Sequence, residues 1–102
     1  MSQPIKSLVE ADRIVHEPAR LAILALLHSI RGADFLYLQE ETGLTKGNLS
    51  SHLSRLEEAG FVEIEKTFKG KIPRTICRIT ADGRVAFETH CQALKGIIEA
   101  GS

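Results

Sequence analysis

No stretch of this sequence is long and apolar enough to cross a bilayer. The most apolar run, Ala19 to Leu27, is broken by Arg20 and ends at His28, far short of the about 20 residues a span requires. Met1 to Ser7 carry no basic segment followed by an apolar one, so no signal peptide is expected and the cytoplasm is the expected compartment. Cysteine is scarce: Cys77 and Cys91 form neither a disulfide framework nor a thiolate cluster. His16, His28 and His90 lack metal-ligand spacing, so neither a metal nor another cofactor is expected. Repeats, low-complexity tracts and a Pro/Gly-rich linker are missing as well, and 102 residues fit one domain.

Net charge is also lacking, with 13 basic and 13 acidic residues. Its distribution is uneven. Between Lys66 and Arg84 six basic residues (Lys66, Lys69, Lys71, Arg74, Arg78, Arg84) face one acid, Asp82, so the remainder of the chain is correspondingly acidic. A local cationic segment of this kind points to a polyanionic partner more than the total does.

Helical periodicity marks Ile5 to Val15 and then about Pro18 to Ile30, where Pro18 suits a first helical turn. The second of these is apolar on nearly every side and reads as the central core helix. A short helix follows over Phe35 to Thr42, with Asp34 as its cap, a brief extended entry before it and Gly43 as its stop. Thr45 is a favourable N-cap for the next helix, 45–59, and Leu44 can staple onto Leu49. Gly60 fits the left-handed position after that helix, and Phe61 can fold back on Leu56. Alternation at Val62 to Glu65, a turn at Lys69-Gly70-Lys71 and a strand over Arg74 to Ile79 give a hairpin. On the second strand Thr75, Cys77 and Ile79 share one face, and Arg74, Ile76 and Arg78 the other. Thr80 then caps a last helix reaching about Ile98. The fold class is mainly α with a small antiparallel β-hairpin.

On a helical wheel Leu49, Leu53 and Leu56 form the buried seam of helix 45–59. Gly47, Ser50, Ser51 and Ser54 lie opposite, flanked by Asn48 and Arg55, with Lys46 at the start. A helix enters the roughly 12 Å major groove of DNA only if its leading surface is slim. Serine and glycine meet that need, and Asn48 and Arg55 carry donors suited to base edges. The preceding short helix and the tight Gly43-Leu44 turn complete a helix-turn-helix. Lys66, Lys69, Lys71, Arg74 and Arg78 of the hairpin can neutralise phosphates, which gives affinity without sequence information. His52 sits at the edge of the seam, where packing and a phosphate contact are both open.

The segment Gly43-Leu44-Thr45, Asn48-Leu49-Ser50, His52-Leu53, Leu56-Glu57 and Gly60-Phe61-Val62 resembles the helix-turn-helix of MarR- and ArsR-type regulators. Pro73-Arg74-Thr75 and Arg78 to Arg84 are similar to the MarR-type strand that leads into the last helix. From His16 to Gly83 the chain also resembles a stand-alone winged-helix group. The resemblance covers roughly residues 10 to 95. It implies a winged helix-turn-helix, duplex DNA as partner, and a homodimer paired through the terminal helices. The corresponding interface residues are Ile5, Leu8 and Val9 with Phe87, Cys91, Leu94 and Ile98. Phe35 to Thr42 contains no cysteine, which departs from metal-sensing ArsR types. The chain is short for a MarR type, so no drug-binding cleft or effector is assigned.

Two functions follow as expectations. The first is a DNA-binding transcription regulator, a repressor. The alternative is a winged helix that binds protein, favoured by the neutral total charge and by Glu57 and Glu58 on helix 45–59. Catalysis is not expected: Ser51 and His52 point about 100° apart on their helix, and Thr45-Lys46-Gly47 lacks the two-glycine loop of a phosphate cradle.

Overall fold

The computed structural model describes residues 5–101, with side chains from Val9 onward. The element order is α1 (Ile5–His16), α2 (Pro18–Ser29), β1 (Ala33–Asp34), α3 (Phe35–Thr42), α4 (Lys46–Glu58), β2 (Val62–Lys69), β3 (Ile72–Ile79) and α5 (Ala81–Ala100). Strands are ordered β1-β3-β2 and pair antiparallel. This is the mainly helical, winged architecture expected from the sequence.

Local chemistry sets most boundaries. Thr45 accepts the Asn48 N–H at 3.1 Å, Asp34 accepts that of Leu36 at 2.9 Å, and Thr80 accepts that of Gly83 at 3.0 Å. Each satisfies one of the N–H groups a helix start leaves open. At the other end of α4, the Phe61 N–H donates to Leu56 and the Gly60 N–H to Glu57, both at 2.9 Å. Gly60 has φ +80°, so this is a Schellman stop that a side-chain-bearing residue would strain. Phe61 is thereby turned into the core.

The core gathers Ile14 and Val15 of α1, Ile23, Leu24 and Leu27 of α2, Leu38 of α3, and Leu49, Leu53 and Leu56 of α4. Val62 and Cys77 close it from the sheet. The α2 helix is central, contacting α1, α3, α4, α5 and β3.

Both hairpin strands run further than the sequence indicates, because pairing persists to Lys69↔Ile72 around the Gly70-Lys71 turn. Pro73 is tolerated there since β1 reaches only Ile76 and Cys77, leaving the outer part of β3 with a neighbour on one side. On α5 the buried residues are Gly83 and His90, while Cys91 is exposed. Cys91 therefore takes no place in the core of the chain. His90 is buried instead, and its Nδ1 lies 3.1 Å from Asp12 Oδ1, so the imidazole N–H donates to the carboxylate.

Candidate nucleic-acid interface

The α4 helix presents the two faces its sequence implies. Leu49, Leu53 and Leu56 are buried, whereas Lys46, Gly47, Asn48, Ser50, Ser51, Ser54 and Arg55 are all exposed. Small residues (Gly47, Ser50, Ser51, Ser54) make up much of the exposed surface of α4, with longer side chains at Lys46, Asn48, Arg55, Glu57 and Glu58. Arg55 lies 3.7 Å from Glu58, one turn on.

The hairpin stands beside this helix and leaves a cleft of about 660 Å³ between them. Lys46, Ser50 and Ser54 line one wall, and Lys66 and Thr75 the other. Phe35, Leu53 and Ile64 also border it, together with Glu57. Two cations and one carboxylate thus border one open channel, over a floor of mixed hydroxyl and apolar side chains.

The basic residues of the hairpin divide by type. Lys66, Lys69 and Lys71 are exposed, and none of the three forms an ion pair within 4.0 Å among the described residues. The arginines are engaged. Arg74 Nε donates to Asp34 Oδ2 at 2.9 Å, and Arg78 Nη1 to Glu65 Oε1 at 3.0 Å. Arg84 donates to the His28 carbonyl at 3.2 Å. Asp34 therefore serves twice, as cap of α3 and as anchor of β3. The Leu36 N–H, then the Arg74 guanidinium, hold its carboxyl below the usual range.

On the flank away from the hairpin, α4 meets the start of α2. Glu17 caps α2 by accepting the Arg20 N–H at 2.9 Å. Arg20 Nε donates to the Ile14 carbonyl at 2.7 Å, and its Nη1 lies 3.4 Å from His52 Nδ1. Glu17 Oε2 is 3.6 Å from the same ring nitrogen. Burial raises the Glu17 carboxyl, but the N–H groups of Arg20 and Ala19 and the nearby His52 and Arg20 outweigh it, so the net shift is downward. An arginine can only donate, so Arg20 is the donor in its contact with the ring. Nothing local in the sequence signals this junction: Arg20 and His52 are 32 positions apart.

These elements together have the features of a DNA-reading unit, and comparison with known proteins decides the family. The family model described as "Winged helix DNA-binding domain" matches residues 19–98. The chain belongs to this winged helix DNA-binding family. An uncharacterised protein of Methanocaldococcus jannaschii is 47% identical over 79 residues, covering 76% of this chain and 85% of its own. The solved structure of a transcriptional regulator homologue from Pyrococcus horikoshii is 34% identical, with a TM-score of 0.83 over 93% of this chain and 96% of that one. Two more distant structures share the fold. One is described as a transcriptional regulator of the MarR family, from Enterococcus faecalis, at 19% identity and TM-score 0.74, over 99% of this chain and 87% of that one. The other is an ArsR family regulator at 22% and 0.64, over 97% of each chain. The winged-helix resemblance read from the sequence is thus borne out.

The terminal helices are divided. Phe87 is half-buried, its ring 5.1 Å from that of His28. Val9 is 44% exposed, Leu94 is half-buried, and Cys91 and Ile98 are exposed. Ile5 and Leu8 have side chains outside the described residues. Ile97 and Val85, at 69% and 62%, are exposed apolar residues that helical periodicity does not single out. No helix among the described residues is long and apolar enough to cross a membrane.

Proposed function

We propose that this winged-helix protein is a homodimeric, sequence-specific repressor that binds duplex DNA in the cytoplasm. The observation that carries the reading is the shared cleft, in which the slim polar face of α4 and the cationic hairpin look onto one channel. In the proposed complex α4 lies in the major groove, with Lys46, Gly47, Asn48, Ser50, Ser51 and Ser54 against it and Arg55 at its margin. A phosphate strand follows the cleft between Lys46 and Lys66. Lys69 and Lys71 reach further phosphates, while Arg74 and Arg78 hold the hairpin in place and offer their remaining N–H groups.

The 102 residues act as a single domain whose α1 and α5 pair with a second copy, through Val9, Cys91, Leu94 and Ile98 together with Ile5, Leu8 and Phe87. The exposed apolar end of α5 supports this assignment, since burying such a surface is the main source of association free energy. Repression then follows from occupancy, because a dimer seated across successive turns excludes other proteins from the same duplex.

Selection from a randomised duplex library at moderate salt tests the proposal. A palindromic motif with half-sites about 34–36 Å apart is expected. Failure of a folded dimer to enrich any motif would refute it and favour the protein-binding alternative.

A further inference from the structure

Phe68 and Pro73 face each other across the outer end of the hairpin. Phe68 is 69% exposed. Along β2 the face that bears it also bears Val62, Ile64 and Lys66, paired with Ile79, Cys77 and Thr75 on β3. Val62 and Cys77 are buried, while Ile64, Lys66 and Thr75 border the cleft against α4. Phe68 and Pro73 are the next positions outward, so an apolar pair lies just past the cationic channel. Folding gives no reason for a large aromatic there, because no core extends so far. Its neighbours in sequence are exposed lysines, Lys66, Lys69 and Lys71.

An apolar wedge ringed by cations matches a partner that alternates anionic rails with apolar edges, and duplex DNA is such a partner. With α4 in the major groove and one phosphate strand in the cleft, the groove across that strand is the minor groove. It is about 6 Å wide, too narrow for a helix and wide enough for a hairpin tip. Apolar side chains placed there can partly unstack a base step and bend the duplex. The deformation costs least at pyrimidine–purine steps.

We propose that Phe68, backed by Pro73, enters the minor groove beside each half-site and selects a deformable pyrimidine–purine step there. The inference rests on the DNA-binding reading above. The test selects duplexes from one randomised library with the full chain and, in parallel, with Phe68→Ala and Phe68→Leu. Unfolding midpoints are measured for all three, and Phe68 is exposed enough that they are expected to agree. The wild-type pool is expected to carry a TA, CA or TG step at a fixed distance outside the central motif. The alanine pool keeps the motif and loses the step, and the leucine pool retains part of the preference. Binding of step-containing duplexes falls about tenfold in the alanine variant, in the range that removal of one aromatic–base contact gives. Fluorescence transfer between duplex ends reports a bend that the alanine variant lacks.

Identical flanks and bends in the wild-type and alanine pools overturn the wedge and leave the regulator reading intact. An alanine variant that changes only its oligomeric state also overturns it, assigning Phe68 to self-association. No enrichment by the wild-type chain overturns both proposals together.

Discussion

Replacing Gly83 by alanine would press a methyl group into the backbone of Phe61. A Cβ built on Gly83 collides with the Phe61 carbonyl oxygen and lies 2.8 Å from the carbonyl carbon and 2.9 Å from the Cα. Non-bonded carbons settle about 3.5–4.0 Å apart, so the first turn of α5 must retreat by roughly 0.7 Å or more. That movement pulls on Thr80, whose N–H donates to the Phe61 carbonyl at 3.0 Å and whose hydroxyl donates to Gly60 at 2.6 Å. Overpacking costs about 1–3 kcal/mol and each broken hydrogen bond about 1 kcal/mol. Alanine returns about 1 kcal/mol through helix propensity. A net loss of about 3 kcal/mol is expected, since crowding and broken bonds together outweigh that gain. Gly96 on the same helix is the control: nothing lies within 4 Å of its Cβ position, so Gly96→Ala should stabilise by about 0.5–1 kcal/mol. Urea unfolding at one fixed protein concentration measures both. The reasoning fails if Gly83→Ala stays within about 0.5 kcal/mol of wild type, the usual range for surface changes. Since Gly83 seats α5 on the turn that ends α4, a surviving variant should also bind altered half-site spacings in the proposed dimer.

Changing Lys69 and Lys71 to glutamine should make the dependence of log affinity on log salt shallower by about 0.9 for each phosphate no longer neutralised; an unchanged slope would remove the hairpin from the proposed interface. Burial, with the nearby Asp34 and Glu57 charges, pushes the Cys77 thiol up to about 11, so only exposed Cys91 should react quickly with an alkylating reagent near pH 8. Its rate should fall as protein concentration rises, and a constant rate would exclude Cys91 from the pairing surface. The depressed Asp34 carboxyl contributes stability that is present above the ordinary carboxylate range and is lost as pH falls through its lower folded value. Asp34→Asn should therefore flatten the acid side of the stability profile, and urea midpoints followed from neutral to acid pH would show whether it does.

The parts of the fold that were legible in the sequence are those fixed within three or four residues. The caps at Asp34, Thr45 and Thr80, the Gly60 stop and the Leu49–Leu53–Leu56 seam each depend on a spacing that one segment contains. The parts that were not legible depend on distant partners. Asp34 and Arg74 meet across 40 positions, and Glu17, Arg20 and His52 join two helices that sequence periodicity treats separately. His16 and His90 look scattered along the chain, yet their rings lie 5.4 Å apart. The rotation of α5 follows the same rule. Apolar spacing favours Cys91 as an inward residue, but the contact of Gly83 with Phe61 and the acceptor offered by Asp12 bring the neighbouring His90 inside. The candidate site was more legible than the terminal helices because its chemistry lies on one helix and one hairpin.

The neutral total charge and a nucleic-acid role are compatible because the two cation types are used differently. Arg13, Arg55, Arg74 and Arg78 each lie within ion-pair distance of a carboxylate, and Arg20 and Arg84 donate to backbone carbonyls. A planar guanidinium fork suits such fixed geometry, whereas an ammonium on a flexible stem suits a diffuse phosphate field. Four of the seven arginines thus stand against acids, and the lysines of the hairpin keep their charge for a partner. This division has a consequence for specificity. The arginine fork is the commonest reader of guanine, and in this hairpin both forks are already held by carboxylates. Base discrimination in the proposed complex then falls mainly to α4, where Asn48 suits a two-bond contact with adenine and Arg55 stands at the flank. So few direct readers leave a large share of selectivity to the shape and stiffness of the duplex, which is the property an exposed Phe68 is placed to sense.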